Sequence, residues 1–185
     1  MQQEIQVVAF ACRGTLVDWM GAIEAVTYEL ARRNGESPLD RGTALARRVE
    51  ALARDDGLAR GFERLADARR YRSEESGDES LARVVALARP MRGARELVAL
   101  AARSGRRLVA ISRGESPGAL QEFGAPFEAV VGDLDADALG VAPERVLYVS
   151  AAAWRRDEAR SLGMNAVAPA ELARALVPRP TILAA

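Results

Sequence analysis

Residues 5 to 19, IQVVAFACRGTLVDW, constrain the fold more than any other stretch of the chain. Ile5 to Ala11 form an almost unbroken apolar run with β-branched members. Such a run suits a strand buried on both faces of a parallel sheet, because neither alternate set of side chains is polar. Gly14 and Thr15 break the run and begin a loop at the strand's carboxyl end, the edge where open α/β sheets bind ligands. A glycine at that place lets backbone N–H groups approach an anion closely, and the Thr15 hydroxyl adds a donor.

The next stretch is helical. Ile23, Val26, Thr27 and Leu30 repeat at helical spacing, which predicts a helix over 20–34 that stops at Gly35. Further helices are predicted over 39–54, 58–72 and 80–88, with the polar run SEESGDES at 73–80 as a loop and Pro90 as a stop. About 70 residues therefore separate the first strand from the second, too many for a simple crossover. They read as an inserted helical cap over 20–89, and residues 1–19 with 90–185 read as an α/β core.

In that core a helix over 92–104 leads to a strand over 106–112. A short helix over 116–123, a strand over Phe127–Val131, a strand over Val146–Ser150 and a helix over 154–162 follow. Asn165–Ala168 read as a fifth strand and 169–176 as the last helix, while the tail VPRPTILAA reads as loose or surface-docked. Strands alternating with helices predict a doubly wound parallel sheet of about five strands.

Composition narrows the chemistry. The chain has 185 residues and a formal net charge of zero, so bulk charge favours neither nucleic acid nor an acidic membrane. No apolar run approaches the roughly 20 residues that span a bilayer. The first residues, MQQEIQVV, lack a signal-peptide pattern, so a cytoplasmic location is expected. Cys12 is the single cysteine, which excludes an internal disulfide and a cysteine-cluster metal site. There is no histidine and no lysine, since all 26 basic residues are arginine. The commonest general base and any amine nucleophile are therefore missing.

The letters around Gly14–Thr15–Leu16 resemble the first motif of the haloacid dehalogenase superfamily. The segment PMRGARELVALAARSGRRLVAISRGES is similar to the lead into its second motif, with Ser112 as the strand-ending residue and Arg113 where the L-2-haloacid dehalogenase branch usually has asparagine. VLYVSAAAWRRDEARSLGM is similar to the fourth-motif segment of that branch, through Ser150, Ala153, Trp154, Ala159, Gly163 and Met164. The resemblance implies the family fold with a helical cap, a hydrolase ancestry and, in this branch, a homodimer. It also implies an aspartate nucleophile, a lysine and a fourth-motif acid. Here the nucleophile position is Ala11, the acid position is Arg155, the branch's asparagine two residues after Ser150 is Ala152, and no lysine occurs. Groups that act as a unit fail as a unit, and loss of a nucleophile alone can cost about a millionfold in rate.

Two readings follow from these losses. In the first, the chain is a degenerate, catalytically inactive relative that serves as an anion-binding or protein-interaction domain. Arg13, Gly14, Thr15, Ser112, Arg113 and Ser150 are the candidates to hold a phosphate or carboxylate, with Arg155 and Arg156 nearby. No metal or other cofactor is expected, because guanidinium groups at the mouth oppose Mg²⁺. In the second, the chain is a dehalogenase- or phosphatase-type hydrolase with altered machinery. Cys12, beside Arg13, is its candidate nucleophile, although alternation along the strand and the absence of a histidine base favour a buried structural thiol. Asp18 matches an acidic family position and also suits a helix cap. Arg47 or Arg48 matches a substrate-contacting cap arginine of the dehalogenases. Asp133, Asp135 and Asp137 have a calcium-like spacing without the rest of an EF-hand loop, so they read as a solvated loop.

Overall fold

The computed structural model describes residues 4–37, 42–52, 57–72, 75–112, 118–124 and 127–177. Its strands in chain order are β1 (Val7–Ala11), β2 (Val17–Asp18), β3 (Arg89–Pro90), β4 (Arg107–Ile111), β5 (Ala129–Val131), β6 (Val146–Val149) and β7 (Asn165–Val167). Its α-helices are α1 (Trp19–Arg33), α2 (Gly42–Leu52), α3 (Gly57–Arg69), α4 (Gly77–Leu87), α5 (Ala94–Arg103), α6 (Gly118–Gln121), α7 (Ala136–Leu139), α8 (Ala153–Ser161) and α9 (Leu172–Leu176). The chain divides into two units, Met1–Val17 with Pro90–Ala185, and Asp18–Arg89.

The first unit is built on a five-stranded parallel sheet in the order β5-β4-β1-β6-β7. All five residues of β1 are buried, as a central strand requires. Val7, Ala9 and Ala11 join Val109, Ile111, Val146 and Tyr148 in one apolar cluster, closed by Leu134, Leu139, Ala159 and Met164. Phe10 lies elsewhere and meets the edge of Phe127, with centroids 6.4 Å apart. Fully burying side chains of this size contributes about 1.5–3 kcal/mol each.

The third core strand starts at Ala129 rather than Phe127, and Phe127 packs edge-to-face with Phe10 and Phe123. The helix expected over 116–123 is seen over Gly118–Gln121, and residues 113–117 lie outside the described residues, as does the tail from 178. The acidic run is not all loop. Asp135 caps the short helix α7, its carboxylate accepting from the Asp137 N–H at 3.0 Å, and Leu139 of that helix is buried in the core.

The second unit is four helices, in which α1 packs on α2, α2 on α3, α3 on α4 and α4 on α1. Asp18 caps α1 by accepting from the Gly21 N–H at 2.9 Å. Trp19, Ile23, Val26 and Leu30 then face inward at helical spacing. The run 73–80, expected to be a loop, is helical from Gly77. Ser76 and Glu79 form a reciprocal capping box there, with Ser76 N–H to Glu79 Oε2 at 2.7 Å and Glu79 N–H to Ser76 Oγ at 3.2 Å. Gly77 follows the cap because a side chain would not fit: a Cβ there would strike the backbone carbonyl of Ala59 in α3. Gly77→Ala is therefore expected to destabilise the protein by about 1–3 kcal/mol through overpacking. Urea denaturation measures this, and an unchanged midpoint would count against the α3–α4 contact.

Candidate functional site

The loop after β1 closes on itself. The Cys12 carbonyl accepts from the Leu16 N–H at 3.0 Å and the Val17 N–H at 2.9 Å. Gly14 has a φ of +66°, a left-handed conformation that glycine adopts without strain, and its N–H donates to the Val17 carbonyl at 3.0 Å. The Gly14 amide is thus bonded inside the loop. Thr15 is buried, and its Oγ1 accepts from the Ala151 N–H at 3.0 Å. Ser150 is buried too, and its Oγ accepts from the Ala152 N–H at 3.3 Å. Both hydroxyls serve as acceptors: Thr15 ties the β1 loop to the β6 loop, and Ser150 braces the β6 loop itself.

Ala11 is buried, and belongs to the apolar cluster with Tyr148 and Leu139. Cys12 is buried, and burial pushes its thiol up to about 12, against a smaller downward pull from a hydrogen bond with Ser112. At neutral pH it is a protonated thiol with negligible nucleophilicity. Ser112 is buried beside it. Arg113 lies outside the described residues.

The arginines at the mouth have work to do within the fold. Arg156 Nη1 donates to the carbonyls of Ser150 at 2.7 Å and Ala151 at 2.8 Å. Arg155 stands 3.5 Å from Glu158 Oε2, and its guanidinium lies over the Trp154 indole at 4.4 Å. Trp154 itself is 62% exposed. Arg13 is exposed at the loop. The structure thus brings Gly14, Thr15 and Ser150 into one bonded cluster with the Arg156 guanidinium, and places Cys12 and Ser112 together beside it.

These residues do not fit Mg²⁺. The positions at which the resemblance expects carboxylates carry the Ala11 methyl and the Arg155 guanidinium, neither of which is a donor for a hard cation. Among the described residues no group of three or more His, Cys, Asp or Glu is placed to hold a metal ion.

Sequence reasoning missed Tyr148 and Glu158. Tyr148 is fully buried with Ser150 beside its hydroxyl, and Glu158 Oε2 pairs with Arg155 at 3.5 Å. Burial raises the Tyr148 pKa, with Arg155 pulling the other way. In the sequence Tyr148 is one letter of an apolar strand, and only its alternation with Ser150 marks it. Glu158 was legible as the i+3 partner of Arg155.

Two outcomes test this geometry. At pH 8 a disulfide reagent is expected to label Cys12 at least about 100-fold more slowly in the folded protein than in urea. Labelling should accelerate only as the pH climbs towards 12, where the buried thiol begins to ionise; equal rates would refute the buried, protonated thiol. Thr15→Ala leaves the Ala151 N–H without its acceptor and is expected to lower stability by about 1–3 kcal/mol in urea denaturation, with Thr15→Ser restoring most of it.

No family model matches the chain, and no curated protein matches it in sequence. Solved structures do match. An L-2-haloacid dehalogenase from Xanthobacter autotrophicus with chloropropionic acid covalently bound is 21% identical at a TM-score of 0.64, covering 88% of this chain and 76% of that one. A predicted phosphoglycolate phosphatase from Haemophilus somnus 129pt is 14% identical at 0.63, covering 91% and 86%. CbbY from Rhodobacter sphaeroides in complex with phosphate is 20% identical at 0.58, covering 89% and 85%. Identities this low speak to fold alone, and the fold of this chain is the haloacid dehalogenase-like α/β fold.

Proposed function

We propose that the chain is a non-hydrolysing protein of the haloacid dehalogenase fold that binds a small anion, phosphate or carboxylate, at the carboxyl end of its sheet. The observation that carries the first half is the state of the two residues ending β1. Ala11 presents a methyl group packed into the core, and Cys12 presents a buried protonated thiol. Neither can attack phosphorus or carbon. The alternative, a hydrolase with altered machinery, would need Thr15, Ser112 or Ser150 as nucleophile. That route has no histidine to serve as base, and two of these hydroxyls are engaged as acceptors for loop amides.

Anion binding is supported by the excess of guanidinium over carboxylate at the mouth, from Arg13, Arg155 and Arg156 against Glu158. It is further supported by the fold: CbbY was solved with phosphate and the Xanthobacter dehalogenase with a bound carboxylic acid. Purified protein is expected to give no turnover of phosphomonoesters or 2-haloacids, with or without Mg²⁺, while millimolar phosphate raises its melting temperature. Turnover above background would overturn the non-hydrolysing reading, and a melting temperature indifferent to phosphate and to small carboxylates would overturn the anion-binding one.

A further inference from the structure

No further inference is drawn: the strongest candidate, the surface patch at the start of α8 where the exposed Trp154 indole lies under the Arg155 guanidinium at 4.4 Å, belongs to the site already described, and nothing in the structure shows what covers it.

Discussion

The parallel pairing of β1 on both of its edges is the constraint from which the site follows. Ala11 is in register with Ile111 of β4, and Phe10 with Val149 of β6. The ladder then runs one step further: Cys12 N–H bonds the Ile111 carbonyl, Ser112 N–H the Val131 carbonyl and Ser150 N–H the Val167 carbonyl. Residues that are far apart in sequence, Cys12, Ser112 and Ser150, are carried to one edge of the sheet by backbone hydrogen bonds alone. Their side chains need not attract one another for the cluster to form. A change of side chain at that edge therefore alters its chemistry while leaving its geometry in place, which is how an alanine can stand at position 11 without loss of fold.

What fills the edge is a network directed inward. Thr15 and Ser150 give their oxygen lone pairs to loop amides, Gly14 gives its N–H to Val17, and Arg156 clamps two carbonyls. The Thr15 bond joins the β1 and β6 loops, and the others fasten each loop within itself. Polar residues at a strand end can be read as ligand donors or as loop fasteners, and in this unit most of them are fasteners.

The sheet was legible because its strands declare themselves by apolar runs. VVAFA and VLYV are buried from end to end, and no other element could accommodate them. The ends of elements were less legible, because single hydrogen bonds set them. SEESGDES looks like loop by composition, yet the four letters from Ser76 to Glu79 hold a capping box that starts α4. Asp133 to Asp137 looks like solvated acid, yet Asp135 starts α7. At the candidate site, composition announced which residue types stand at the strand ends, and Ala11 and Arg155 were informative as letters. The direction of the Gly14 amide was not, since it is set by a bond to the Val17 carbonyl three residues on rather than by the residue itself. Tyr148 was hidden for the opposite reason: within a strand it counts as apolar bulk, and only three-dimensional packing sets its hydroxyl beside Ser150.

The chain leaves the sheet unit after Val17 and re-enters it at Pro90, and the Met91 N–H donates to the Leu16 carbonyl at 2.7 Å. The sheet unit thus holds both ends of the intervening segment within one hydrogen bond. To that unit the segment is a closed loop, and the entropy of closing a loop grows only with the logarithm of its length, by roughly 0.6 kcal/mol per doubling. The junction at Leu16 and Met91 is consequently a seam: whatever is spliced between them, short linker or whole helical unit, weighs little on the folding of the sheet, and the two units are free to change at separate rates.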